Sequence, residues 1–331
     1  MGVKVRPTKY LRENRGRFSR WITPASLERT LTSPAPDTRP LILVAGGTGT
    51  LGTLTTRLLL ETGHRVRVMT RTRSKADDLK KRGALIVKGD LLDPESLEFA
   101  LRGVTTVISA THSILGKGDE SSERVDDEGQ RSFIDAAKQA GVSHFIYTSV
   151  YAAALDHPID FWQTKARIER YLRASGMAFT IVRPTAFMEM HAYELIGKFV
   201  ESGKRVMMFG SGTNPRNFVS ARDVAKIVVA AVDDTRMRGE VIEVGGPENL
   251  SVNQVAEIFG SVSGKKAKVT HLPIAVARGV AAAAQKVHPG VSRVIKSAIV
   301  SECTDQTFDS AGLVAKYPVE LTSLEDWARR R

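Results

Sequence analysis

The chain has 331 residues, 42% of them hydrophobic, with a formal net charge of +12 and a single cysteine. That length is enough for one large or two small domains with a proper core. No stretch approaches the roughly 20 apolar residues of a membrane-spanning helix, and Cys303 alone excludes an internal disulfide framework and fits a reducing, cytoplasmic setting.

The charge is uneven. Residues 1–40 carry nine Lys and Arg against Glu13, Glu28 and Asp37, a net +6 and half of the total. The segment 1–38 therefore reads as a basic extension, able to touch a protein partner or an anionic surface. Within it, YLRENRGRFSRWI can form a basic helix with Tyr10, Leu11, Phe18, Trp21 and Ile22 as apolar contacts, weakened by Gly16. An Arg-rich start of this kind also suits an organelle transit peptide. The proline-rich SPAPDTRP then reads as a linker, and folded structure is expected from residue 39.

LILVAG, a short apolar run closed by glycines, reads as a strand buried on both faces. A helix over 51–62 follows, with Leu51, Leu54, Leu58 and Leu59 on one face and Gly63 as its cap. The alternation continues through strand HRVRVMTR, helix 74–82, strand ALIVKGD, helix 94–101, strand TTVISAT, helix 123–141, strand SHFIYTS, helix 161–175 and strand AFTIVRP. Strands and helices in regular alternation with short links predict an α/β fold, a doubly wound parallel sheet with helices on both faces. Residues 39–184 form its core, and 185–331 a smaller C-terminal substrate region from which 219–247, including a late strand in VIEVGGP, returns to the sheet. SVNQVAEIFGSVSG reads as a helix with Ser251 as N-cap, and IAVARGVAAAAQKV as an amphipathic helix that packs on protein.

Between the first strand and the first helix stands GGTGTLG. Gly46 allows the tight turn, Gly49 lets the backbone approach a pyrophosphate, and Gly52 lets helix and strand pack closely. Thr48, Thr50 and Leu51 complete the loop, whose helix N-terminus offers free N–H groups to phosphates. A carboxylate at the end of the second strand would hold the ribose 2′-hydroxyl of NAD. Here that strand ends VMTRTRSK, so Arg71 is the candidate for a 2′-phosphate and NADPH is favoured over NADH. Asp90, at the end of the third strand, can bond an adenine amino group or cap the next helix. Leu91, Ala110 and Thr111 are the further expected cofactor contacts.

In series, VAGGTGTLG, VMTR, VKGDLLD, FIYTSV, KARIERYLRASG, TIVRPTAFME, FVSARDVA and VIEVGGPENLS resemble the atypical short-chain dehydrogenase/reductase superfamily, and most closely its NmrA-like branch, over about residues 40–260. The resemblance implies a Rossmann fold and a bound nicotinamide cofactor, usually NADPH. It implies either a reductase of quinones, dyes or phenylpropanoids or a cofactor-binding regulator or assembly factor. In the superfamily a Tyr-x-x-x-Lys pair does acid–base work beside a serine. Lys165 matches the lysine and Ser149 the serine, but Phe161 stands where the tyrosine would be. Tyr151, His112 and His157 are then the candidate proton donors, each with a simpler role as a packing or solvated side chain. Reduction of a quinone needs little protein acid, because solvent can protonate the product.

Arg183 and FMEMH (187–191) would lie along the substrate crevice, and Arg216 can meet a phosphate or carboxylate or remain an exposed loop charge. No metal-ligand spacing and no base-reading helix is present in the sequence, so neither a metal nor specific nucleic-acid binding is expected. Two functions follow: an NADPH-dependent reductase of a small apolar carbonyl or quinone-like substrate, or a non-enzymatic NADP(H)-binding sensor or assembly protein.

Overall fold

The computed structural model describes residues 38–331. The basic segment before them, with its expected helix, lies outside the described residues. Pro40–Arg331 make one compact unit, so the late segments pack into the same body as the core.

Its centre is a seven-stranded sheet, parallel throughout: β1 Leu41–Ala45, β2 Arg65–Thr70, β3 Leu85–Lys88, β4 Val104–Ser109, β5 His144–Thr148, β6 Phe179–Pro184 and β7 Val241–Val244, in the spatial order β3-β2-β1-β4-β5-β6-β7. This is the doubly wound order, and the chain reverses direction across the sheet between β1 and β4. The reason lies in LILVA. Successive strand side chains point to opposite faces, and all five of these residues are buried. Ile42 and Val44 pack on one face with residues of helices Thr50–Glu61 and Ala221–Asp233; Leu41, Leu43 and Ala45 pack on the other with residues of Pro94–Leu101, Gln130–Gln139 and Asp160–Ala174. A strand apolar on both faces belongs at the centre of such a sheet.

Local chemistry sets the boundaries. Gly63 adopts φ +82° after the first helix, and its N–H donates to Leu60 O at 3.1 Å. The helix 94–101 is capped by Asp93, whose carboxylate accepts from Ser96 N, with Pro94 at the first position. Asp90 is therefore not the cap. Ser251 and Gln254 form a capping box at the start of Val252–Ser263, and Gly264 closes it in the left-handed region.

Two expected helices differ, and one helix was not expected. The 74–82 segment is a 3₁₀ turn, Arg73–Ala76, followed by the single turn Asp77–Lys81. The 123–141 helix begins as a π-helix over Glu123–Gly129 and becomes α-helical at Gln130. Gly129 fits there because a Cβ would come within 2.9 Å of Leu91 Cβ, and the wider turn leaves the Asp126 carboxylate fully buried. A second π-helix, Met188–Gly197, takes up most of the FMEMH segment that was expected along the substrate crevice. Late in the chain, Ile274–Val287 packs against Pro289–Cys303. Among the described residues no helix is long and apolar enough to cross a membrane.

Candidate functional site

The carboxyl ends of β1 and β4 meet at the point where the strand order reverses, the usual place for a ligand in an open α/β sheet. The glycine loop lies there. Gly46 has φ +76°, and a Cβ on it would sit 2.7 Å from Ala110 O. A Cβ on Gly52 would sit 2.2 Å from Gly46 O, so helix and turn touch backbone to backbone. The Gly49 N–H closes the turn onto Gly46 O at 3.0 Å, and Gly49 and Thr50 are exposed. Among the described residues no side chain caps this helix N-terminus, and its first turn holds no acid. The positive end of the helix dipole is thus open to an anion. Thr48 Oγ1 lies 3.5 Å from Thr70 Oγ1, while the Leu51 side chain is buried in the core.

Arg71 stands at the end of β2, 55% exposed, with its Nη1 2.6 Å from Glu120 Oε1, itself 63% exposed. Such a solvated pair is worth at most about 1 kcal/mol, so an incoming phosphate can displace Glu120. The Asp90 carboxylate accepts from Leu92 N at 3.0 Å. The Leu91 side chain belongs to the core, which leaves only its backbone for a ligand. The Ala110 N–H donates to Ala45 O at 3.0 Å. Thr111 is held through its hydroxyl by Gln130 Nε2.

Lys165 is 2% exposed. Its Nζ donates to Thr111 O at 3.5 Å and Thr148 O at 3.4 Å, both at the long limit of a hydrogen bond. It lies 5.0 Å from the Tyr147 ring centroid and 5.4 Å from that of Phe161. Among the described residues no carboxylate lies within ion-pair distance. Burial lowers its pKa, opposed by the more distant charges of Asp126 and Glu169. Both carboxylates are engaged elsewhere: Asp126 accepts from Ser113 N at 3.0 and 3.2 Å and from Ser122 Oγ at 2.8 Å, and Glu169 is bound by Arg183 at 2.6 and 2.9 Å. A buried ammonium with two weak acceptors is short of partners. That shortage, together with the open glycine cradle, fits a dinucleotide lying from the first helix to Lys165.

The proposed acid–base residues are not gathered around Lys165. The Ser149 hydroxyl donates to Glu169 and joins the ion-pair network of Arg183, Glu169 and Glu243. Sequence spacing hides this, because it does not say that Glu169, one helical turn after Lys165, claims that hydroxyl. The Tyr151 hydroxyl donates to Thr307 O at 3.3 Å, and its ring packs edge-on against Phe308. Burial raises its pKa, and the charges of Glu243 and Asp305 add to this. It serves to hold the C-terminal segment. His157 accepts from Ile159 N at 3.2 Å and stacks on Trp162. Asp160 is taken by Arg293 at 2.8 and 2.9 Å. His112 follows Thr111, whose carbonyl accepts from Lys165. Solvent reaches it, but surrounding protein lowers its pKa, and the Lys165 charge lowers it further against the opposing charge of Asp126.

On the expected substrate side, Arg183 is committed to Glu169, Met188 is core, and Met190 is 49% exposed. The apolar wall read from FMEMH therefore shrinks to the partly buried Phe187. Arg216 is not on a loop: it opens the strand Arg216–Val219. Sequence reasoning missed Asp126, Gln130 and Glu169. Only Glu169 left a signal, its four-residue spacing from Lys165 on one helix face. Among the described residues no cluster of three His, Cys, Asp or Glu can hold a metal.

Residues 38–324 match the sequence model of the NmrA-like family. The NAD(P)H azoreductase of Xenophilus azovorans is 32% identical over 241 residues, covering 72% of this chain and 79% of that protein. The photosystem II assembly factor Ycf39 of Synechocystis is 28% identical over 295 residues, covering 86% and 89%. Among solved structures, the NADPH complex of an Escherichia coli NADPH-dependent quinone oxidoreductase matches with a TM-score of 0.72 at 24% identity, covering 87% of this chain and 99% of that one. Triphenylmethane reductase of Citrobacter sp. matches with a TM-score of 0.72 at 19% identity, covering 88% and 99%. At these identities the solved structures establish the shared fold.

Proposed function

Because the chain belongs to the NmrA-like family, we propose that it is an NADPH-dependent reductase of a small quinone-, azo- or carbonyl-type acceptor. The observation that carries this reading is the buried, under-partnered Lys165 bonded to Thr111 at the end of β4. Relatives named as an NAD(P)H azoreductase and, by fold, as quinone and dye reductases support it.

In this reading the first-turn N–H groups after Gly49 hold the pyrophosphate, and Arg71 leaves Glu120 to clamp the 2′-phosphate bidentately. Lys165 would hold the nicotinamide ribose from its place at the ends of β4 and β5. The bound dinucleotide supplies hydride. Phe161 offers no proton, so the chain's part is to position, to exclude water on the Phe161 side, and to leave the acceptor's far side to solvent protons. Acceptors whose reduced forms are protonated readily by water suit this arrangement best.

The test is to bind NADPH, followed by its fluorescence, and then add quinones and azo dyes while watching its absorbance. Tight binding with consumption by at least one acceptor supports the reading. A second reading has its own support: Ser149 and Tyr151 are turned to structural duties, and similar chains include proteins named as photosystem II assembly factors. Tight NADPH binding with no consumption by any acceptor would favour that reading, with the basic residues 1–38 as the segment to search for a protein partner.

A further inference from the structure

A row of basic groups runs away from Lys165. Lys165 bonds to Thr111 O, and His112 follows in the chain. Burial first, then the neighbouring Arg216 and His112, push the pKa of His191 down to about 4, and its Nδ1 lies 3.3 Å from Phe187 O. Phe187 in turn pairs with Val219, three residues along the strand that Arg216 opens.

Among the described residues no carboxylate forms an ion pair with Arg216. Its Nε is buried and has no hydrogen-bond partner among the described residues. Its guanidinium stacks on the Phe218 ring at 5.1 Å. The acid whose charge acts on it, Glu302, has its Oε1 turned to other donors: Gly212 N donates to it at 2.8 Å and Ser211 Oγ at 3.0 Å. A rigid, ring-backed guanidinium with a buried, unbonded nitrogen is poorly solvated by its own protein, and an oxyanion is the ligand whose geometry matches its fork.

Building on the reductase reading, we infer that Arg216 binds a carboxylate or sulfonate on the acceptor, so that the substrate is an aromatic acceptor carrying an anion at one end and its reducible group at the Lys165 end. For an azo acceptor the step balances simply: hydride goes from NADPH to one nitrogen, a solvent proton to the other, giving the hydrazo product and NADP⁺.

The experiment compares para-methyl red, an azo dye with a benzoate ring, with dimethylaminoazobenzene, the same dye without the carboxylate. Each is titrated against the NADP⁺ complex, where no hydride is available, and then assayed with NADPH. The expected result is that wild type binds the carboxylate dye on the order of ten- to hundred-fold more tightly. Arg216→Met should abolish the difference, and Arg216→Lys, which keeps the charge, should retain part of it. NADPH affinity of both variants should match wild type, which also shows that they fold. Equal affinity of wild type for the two dyes, or a preference that survives in Arg216→Met, overturns the inference. An Arg216-dependent preference with no turnover would sink the reductase reading while leaving the anion site standing.

Discussion

Replacing Lys165 with Met should make the protein more stable and less functional. The ammonium is 2% exposed, its two acceptors stand at 3.4 and 3.5 Å, and Asp126 and Glu169 already bind other donors. A buried charge costs several kcal/mol unless well paired, and apolar replacements of buried ionic groups often stabilise. Methionine fills a similar volume between the Tyr147 and Phe161 rings, so a gain of about 1–2 kcal/mol is expected, or roughly 2–6 °C in Tm. The gain depends on pH in a fixed direction. Burial holds the folded-state pKa of Lys165 below the ordinary 10.5, so the unfolded chain binds more protons between the two values. Wild-type stability therefore rises relative to the variant as pH passes through the folded pKa toward 10.5, and the gap closes there. NADPH affinity should fall on the order of ten-fold with loss of a charge-assisted bond to the ribose. Calorimetric unfolding from neutral to alkaline pH, alongside NADPH titration, reads both effects. A Lys165→Met protein less stable than wild type at neutral pH, or one binding NADPH equally well, would refute the reasoning.

Gly49→Ala separates fold from ligand: its Cβ would meet nothing closer than Gly46 O at 3.4 Å and its φ is −83°, so Tm should hold while NADPH affinity, read by fluorescence, falls at least about ten-fold as the added methyl blocks the pyrophosphate. Arg71→Ala should weaken NADPH on the order of ten-fold and leave NADH unchanged, and equal losses for both in titration would remove Arg71 from the 2′ site. Phe161→Tyr places a phenol beside Lys165, and it should raise turnover of carbonyl acceptors in steady-state assays without changing that of quinones. His144 is fully buried and bonded through Nε2 to Thr180 Oγ1 at 2.9 Å, and burial pushes its pKa down to about 4; because the unfolded histidine titrates near 6.5, stability is lost as pH falls from there toward 4, by about 2 kcal/mol at pH 5, and denaturation of His144→Gln should show a flatter pH slope.

The fold was legible because its signals are local and redundant. LILVA needs two covered faces, GGTGTLG needs a tight turn into a helix, and six alternations leave few other topologies. The two π-helices were not legible. Their widened turns depend on tertiary contacts, such as Gly129 against Leu91, that no periodicity records. Nor does spacing distinguish Asp90 from Asp93 as a cap when both precede the same helix.

At the candidate site the side-chain contacts were less legible than the backbone for a physical reason. A phosphate cradle is made of backbone, and backbone conformation is written in glycine positions; Gly46 and Gly52 have no room for a Cβ. An acid–base site is made of side-chain directions, and these are decided by whichever partner offers the better bond. Ser149 reaches Glu169 because Arg183 fixes that carboxylate beside it. Tyr151 reaches Thr307, 156 residues away in sequence, a contact that no local pattern announces. Lys165 remains beside the carboxyl ends of β4 and β5 because both its acceptors are backbone carbonyls there, Thr111 and Thr148. Its position is thus inherited from the sheet itself, whereas the side-chain directions of its neighbours are not. The same argument bears on function. On the proposed reading, a site whose fixed chemical group is held by backbone, with no acid held beside it by side chains among the described residues, orients a cofactor more firmly than it moves a proton.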